Sequence, residues 1–391
     1  MLEAANDATG LRSLLAERDR QLATTQQMTR RSWVRHHAFD RLDEPIFRAD
    51  DAGVARGTED HELVNRIIAA YARSPAGSFY GEVSMWTSIH AQVRDVHDAL
   101  VAEDVVTTAE LLRDPTTNRL MYGYERFFHE SPTLQDPQPF ADETKDVLIR
   151  LAEALALVPV EHPETMHGQL WRTNIDLATA DVVALVERKL SLRLGMDPVH
   201  RGVTGLDVGG RLLTWRMIGA AYLAYRSREL LPAIGRRVLE IGAGLGYGAW
   251  YARQLGVTDY TIVDLPLTSV AQAYFLGRML GPDAVVLEGE SDASLTAHDK
   301  VKILTPALLD DPGTRFDLVV NVNSLTEVGH ALAIEYARHI AALAPTFLSI
   351  NHEVDVFTVN ELFAGNPDVS IDRFPYWLRN GFVEEVIRKR G

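Results

Sequence analysis

The stretch that most constrains this chain is Arg237 to Tyr251, with Val238-Leu239-Glu240-Ile241 running into Gly242-Ala243-Gly244-Leu245-Gly246. Val238, Leu239 and Ile241 suit a strand covered on both faces. Glycine at every second position lets the backbone take positive φ and lets a ligand approach without meeting a Cβ. The helix that follows points its first N–H groups at whatever lies over the turn. A second strand, Tyr260 to Val263, ends at Asp264, about 20 residues on, where an acid can accept hydrogen bonds from ribose hydroxyls. The stretch reads as a nucleotide-handling strand–loop–helix.

The glycine spacing bears on which nucleotide. A G-x-G-x-x-G count from Gly242 places Tyr247 where the third glycine belongs, and a count from Gly244 starts too late after the strand. Glu240 would repel a pyrophosphate, whereas it suits a cationic sulfonium amino acid. The E-x-G-x-G-x-G pattern with Asp264 resembles motif I of class I S-adenosylmethionine-dependent methyltransferases.

Strands alternate with helices from here on, which predicts a doubly wound, Rossmann-like α/β sheet. Phe316–Val322 and Phe347–Ile350 read as strands, Thr268–Leu280 and Glu335–Leu343 as helices. Either Ala284–Leu287 or Lys300–Leu304 supplies the third strand. Asn380-Gly381 signals a hairpin, expected as an antiparallel edge. Ahead of this, apolar residues recur at helical spacing in Glu59–Ala72, Ser84–Ala102, Val106–Leu112, Thr144–Leu157 and Ala180–Leu190. The expectation is an all-helical N-terminal region over residues 1–204 and a methyltransferase domain over 205–391, with a helix from Leu212 to Leu230 at the join. The charged first 45 or so residues suit an arm or a homodimer contact, or a frayed terminus.

The net charge of −15 argues against a nucleic-acid substrate. No cysteine is present, which excludes disulfides and thiolate chemistry. No apolar run reaches membrane-spanning length, and Met1–Asp7 lacks a basic segment followed by an apolar one, so a cytoplasmic protein is expected. His36-His37, His162 with Glu164 and His167, and Asp310-Asp311 lack convincing metal-ligand spacing, so no metal is expected.

Several later segments together resemble the bacterial sugar O-methyltransferases, a group that includes enzymes of glycosylated polyketide and antibiotic biosynthesis. They are Leu239–Gly248, Asp264-Leu265-Pro266, Phe316–Asn321, Ser324–Glu327, Leu348–Glu353 and Pro375–Arg379. The likeness spans about residues 205 to 391. It implies methyl transfer from S-adenosylmethionine, leaving S-adenosylhomocysteine, to a hydroxyl of a sugar or glycoside. The alternatives are a nicotinamide-dependent oxidoreductase on the same fold and a non-catalytic cofactor-binding homologue.

Methyl transfer requires alignment of oxygen, methyl and sulfur, and a base that takes the hydroxyl proton. Ligands in open α/β sheets bind beyond the carboxyl ends of the strands. The expected base is His352, with Glu327 second. Glu240, Gly242, Ala243, Gly244, Gly246, Asp264, Leu265 and Asn321 are expected around the cofactor. Asn323, Ser324, Asn351, Glu353, Tyr376 and Trp377 are expected around the acceptor. Each has a plainer reading: His352 as a loop-holding histidine, Glu327 and Asp264 as helix caps, the two aromatics as core or dimer contacts.

Overall fold

The computed structural model describes residues 46–48, 53–74, 85–121, 123–125, 138–158, 160, 177–233, 236–290, 297–354 and 356–390. The N-terminal arm with His36-His37 and the segment holding His162, Glu164 and His167 lie outside them.

The helical region runs β1 (Ile46–Arg48), α1 (His61–Arg73), α2 (Met85–His90), α3 (Arg94–Val101), α4 (Val105–Arg113), α5 (Gln138–Ala154), α6 (Thr179–Leu190), β2 (Thr204–Asp207) and β3 (Leu212–Leu213). The helix expected over Ser84–Ala102 is two helices. Val93 takes non-helical dihedrals (φ −107°, ψ 39°) at the start of α3 while burying its side chain. The region also carries a three-stranded antiparallel sheet in the order β1-β2-β3. Leu212 and Leu213 belong to that sheet, so the helix expected from Leu212 begins at Trp215, after the Thr214 hydroxyl caps it by accepting from Met217 N–H.

The second half runs α7 (Trp215–Leu230), β4 (Arg237–Ile241), α8 (Tyr247–Gln254), β5 (Asp259–Val263), α9 (Pro266–Leu280), β6 (Val285–Leu287), β7 (Val301–Leu304), β8 (Leu318–Val322), α10 (His330–Leu343), β9 (Thr346–His352), α11 (Val359–Phe363), β10 (Val369–Pro375) and β11 (Phe382–Lys389). Both short apolar runs after α9 are strands. One eight-stranded sheet has the order β10-β11-β9-β8-β4-β5-β7-β6. Its strands are parallel except β11, which inserts antiparallel between β9 and β10. The hairpin therefore supplies an antiparallel strand one place in from the edge, and β10 is the edge. Adjacent strand residues serve opposite faces. Val238 joins a core shared with α7, α8 and α9, whereas Leu239 and Ile241 join a second core with α10.

The first core is continuous with the helical region and holds Leu63, Ile67, Leu112, Leu148 and Val186 beside Tyr251 and Phe275. Polar ties reinforce the join. Arg113 pairs with Asp60 in the interior, and Tyr274 of α9 donates to the same carboxylate at 2.6 Å. Arg66 of α1 reaches Glu290 at 2.7 Å and the Val285 carbonyl at 2.8 Å.

Candidate active site

The β4–α8 turn is built as the glycines predict, but each glycine serves a different need. All three have positive φ, at 71°, 57° and 88° for Gly242, Gly244 and Gly246. A Cβ on Gly242 would lie 2.2 Å from Ser324 Oγ, and one on Gly246 2.9 Å from Leu276 Cδ1. Those two positions are small so that neighbouring elements can close in. Only at Gly244 would a Cβ meet nothing nearer than 3.7 Å, the ring of Tyr124. Gly244 is thus the member of the motif that leaves room for a ligand.

Glu240 lies on the same face of β4 as Val238, tucked beneath the first turn of α8. A Cβ on Gly248 would stand 2.9 Å from its Oε2. The Tyr260 hydroxyl of β5 donates to Oε2 at 2.9 Å. Burial pushes the Glu240 carboxyl up to about 7, and the nearby Asp264 charge adds to the rise. Burial also raises Asp264, to about 6, against hydrogen bonds that favour its charged form. Its Oδ2 accepts from Ala243 N–H at 2.9 Å and Gln272 Nε2 at 2.6 Å, and its Oδ1 from Leu265 N–H at 2.8 Å. With the Thr268 hydroxyl, whose hydrogen bond also favours the charged form, those donors fill the roughly four acceptor sites of a carboxylate. Asp264 therefore ties the glycine turn to the start of α9, with little capacity left for a ligand hydroxyl. Two nearby acids, Glu240 buried and Asp264 half-buried, both raised, form a place where a cation is favoured.

A cavity of about 350 Å³ opens over this turn, beyond the carboxyl ends of β4, β5, β8 and β9. That is within the size range of small-molecule sites. Of the residues expected at the cofactor, Glu240, Gly242, Ala243, Gly244, Asp264, Leu265 and Asn321 line it, and Gly246 does not. Of those expected at the acceptor, Asn323, Ser324 and Tyr376 line it, as does Glu327, the second of the two expected bases. Tyr376 packs edge-on against Tyr222.

Besides Gly246, four expected residues lie off the cavity. His352 packs its ring against Phe382, which faces it across the β9–β11 ladder. Glu353 pairs with Arg373 at 2.5 Å. Trp377, next to Tyr376 but turned away, donates through Nε1 to Glu153 of α5 at 3.1 Å. Asn351 is buried, donating to Asn321 Oδ1 at 2.9 Å and Ser349 Oγ at 2.8 Å while accepting from Ser324 N–H at 3.2 Å.

Asn351 is thereby part of a network that Asn321 completes. Asn321 Nδ2 donates to the Ile241 carbonyl at 2.8 Å and to Ser324 Oγ at 2.5 Å, and its Oδ1 also accepts from Leu325 N–H at 3.2 Å. Asn321, Ser324 and Asn351 thus fasten together the ends of β4, β8 and β9, and their polar atoms are occupied within the chain. Asn323 differs. It takes φ +52°, a left-handed conformation that costs a non-glycine residue energy. Its Oδ1 is buried with no hydrogen-bond partner among the described residues.

Motif reading missed the other walls of the cavity. Trp86 and Tyr124 of the helical region stack at 5.5 Å. The Tyr124 hydroxyl bonds Thr268 at 2.7 Å, so the pair is anchored to the start of α9 beside Asp264. Trp215, Arg216, Arg379 and Phe382 close the β11 side. In the sequence they are scattered aromatic and basic residues, signalled only by the helical stripes holding Trp86 and Trp215 and by the segment Pro375–Arg379.

No protein-family model matches the chain, and no curated protein matches it. Solved structures resemble 44% of it. The amino pentose methyltransferase CalS10 from Micromonospora echinaspora is 14% identical, with 90% of that chain covered and a TM-score of 0.33. The O-methyltransferase TomG from Streptomyces achromogenes is 20% identical over 44% of this chain and 80% of its own, with a TM-score of 0.31. A ribosomal protein L11 methylase from Lactobacillus delbrueckii subsp. bulgaricus is 15% identical over 44% of this chain and 80% of its own, with a TM-score of 0.32.

Proposed function

We propose that the chain is an S-adenosylmethionine-dependent O-methyltransferase acting on a hydroxyl of a sugar or glycoside. The observation that carries this reading is Gly244, open to the cavity, set beside the two raised carboxyls of Glu240 and Asp264. A dinucleotide's pyrophosphate would meet those carboxyls with like charge. The cationic amino group of S-adenosylmethionine would favour their ionised forms. When bound, this cofactor supplies an electrophilic methyl carbon on a sulfonium. Glu240 would hold the amino group through its carboxylate. Asp264 would face the ribose, giving up one internal donor to do so.

Glu327 is the proposed base. It stands in the turn between β8 and α10 on the cavity wall, whereas His352 does not reach that wall. A carboxylate there takes the hydroxyl proton as the O–C bond forms. Asn323 Oδ1 would accept from an acceptor hydroxyl, and Tyr376 offers an aromatic surface that sugar C–H faces pack on. The helical region before residue 205 covers this site through Trp86 and Tyr124 and excludes water. Proton acceptance by a carboxylate requires no metal, so activity should persist after exhaustive EDTA treatment.

The test is incubation of the purified chain with S-adenosylmethionine and a panel of glycosides. Release of S-adenosylhomocysteine with gain of one methyl on oxygen is expected. Binding of NAD with no affinity for S-adenosylhomocysteine would establish the oxidoreductase reading instead. Cofactor binding without turnover of any acceptor would establish the non-catalytic one.

A further inference from the structure

We propose that Arg150 and Glu153 of α5 are positioning residues for the methyl acceptor, holding the β10–β11 turn so that Tyr376 stays on the cavity wall. This rests on the reading that the cavity receives a methyl acceptor. The turn spans residues 376–381, and its two sides do different things. Tyr376 and Arg379 line the cavity, as does Phe382 at the start of β11. Trp377 and Asn380 meet α5 instead.

Asp146, Arg150 and Glu153 recur at i, i+4 and i+7, which places them on one face of α5. All three are buried. A buried charge is costly unless it is hydrogen-bonded, and the turn supplies part of that bonding. Arg150 Nη1 donates to Asn380 Oδ1 at 2.9 Å and reaches the Trp377 carbonyl at 3.5 Å. Its Nε donates to Asp146 Oδ2 at 2.7 Å, which sets the direction of the guanidinium. Glu153 Oε2 accepts from the Trp377 indole at 3.1 Å. The turn is therefore gripped on both sides of Leu378, the residue that seats it in the first core.

The path from this grip to the cavity is short. Trp377 is the direct neighbour of Tyr376, and Arg379 N–H donates back to the Tyr376 carbonyl at 3.3 Å. Tyr376 N–H donates to the Phe382 carbonyl at 2.9 Å, and its ring lies 5.5 Å from Tyr222 of α7 and 6.4 Å from Phe382. A reacting group misplaced by about 1 Å can cost on the order of 10²-fold in rate, so what fixes a cavity wall matters to turnover. The helical region thus shapes the acceptor end through α5, as well as covering the glycine turn through Tyr124. Trp377 reads in the sequence as an acceptor contact, whereas here it is the handle by which α5 holds its neighbour.

The experiment is steady-state kinetics on the full chain, with whichever glycoside of the panel turns over fastest, alongside hydrogen–deuterium exchange at residues 376–381. Trp377→Phe removes the indole N–H and keeps an aromatic ring. It should raise KM for the glycoside about five- to tenfold, the worth of one lost hydrogen bond to a charged group near the surface, and leave KM for S-adenosylmethionine unchanged. Glu153→Leu should do the same, while Glu153→Gln, which keeps an acceptor for the indole, should stay near wild type. Trp377→Phe combined with Glu153→Leu should be no worse than either alone. Arg150→Gln should raise the same KM, and Arg150→Lys should restore part of it. Exchange at 376–381 should quicken in Trp377→Phe and stay unaltered at 242–246. The assignment is overturned if KM for the glycoside is unmoved in a folded Trp377→Phe chain, or if it rises in step with KM for S-adenosylmethionine. If no glycoside turns over, the methyltransferase reading fails separately, and unchanged exchange at 376–381 in Trp377→Phe overturns the grip itself.

Discussion

The two ends of the cavity are built in opposite ways. At the β4–β5 end, one contiguous strand–turn–helix and the end of the neighbouring strand supply Glu240, Gly244 and Asp264. At the β11 end, the walls come from α7, the β8–α10 turn and the β10–β11 turn, while α2 and residues 123–124 close over the glycine turn from the helical region. A site made by local backbone geometry is dense in sequence. A site made by packing is scattered, and its members resemble ordinary core or surface residues. The first end is suited to a ligand common to many reactions, the second to one particular acceptor.

The largest effect expected at the acceptor end comes from Glu327, its proposed base. Glu327→Gln should lower kcat by about 10²–10⁴ on any glycoside that turns over, with affinity for S-adenosylhomocysteine unchanged. His352→Ala should alter kcat by only a few-fold, because its ring packs on Phe382 outside the cavity. The reverse ranking would return the base to β9 and blur the division between the two ends.

The cofactor end should announce itself through pH. Glu240 rises from its ordinary value of 4.5 to about 7, so in the ligand-free chain it favours folding most below about pH 4.5, and that contribution is lost as pH rises through 7. A bound ammonium has the opposite preference, since it needs the carboxylate ionised. Affinity for S-adenosylhomocysteine should therefore climb between about pH 5 and 8, by at most about tenfold per pH unit for each proton released. Glu240→Gln should flatten that climb. A flat wild-type profile would mean that the amino group is held elsewhere.

What the sequence made legible follows the same division. The fold could be read because strands buried on both faces are apolar runs, continuous in Val285–Leu287 and Leu318–Val320 and interrupted only by Glu240 in Val238–Ile241. The glycine turn could be read because its backbone conformation restricts residue choice. Residues beyond β8 and β9 could be placed near the site but not given roles, since a polar residue at a strand end serves equally as a ligand contact or a fastener. Asn321, Ser324 and Asn351 proved to be fasteners. Trp377 and Tyr376 are neighbours in sequence, yet only Tyr376 faces the cavity. The stacked pair of Trp86 and Tyr124 depends on chain segments 38 residues apart meeting in space, and no local pattern encodes that.

A smaller effect separates fasteners from ligands. Asn351→Ala should destabilise the fold by about 1–3 kcal/mol by leaving buried partners unsatisfied, as read by chemical denaturation. Trp377→Ala should cost less, because the indole is 40% exposed and its bond to Glu153 lies at the rim. Loss of acceptor affinity without loss of stability in the Asn351 variant would make it a ligand contact after all.

The central claim is that Gly244 opens onto the cofactor. Calorimetric titration of S-adenosylhomocysteine into the wild type and Gly244→Val tests it most directly. The account predicts one-to-one binding to the wild type and a loss of at least about 2 kcal/mol in the variant, since overpacking of this kind typically costs about 1–3 kcal/mol and a β-branched residue at φ +57° adds strain. The variant should still unfold cooperatively. No binding to the wild type, or undiminished binding to a folded Gly244→Val chain, would contradict it.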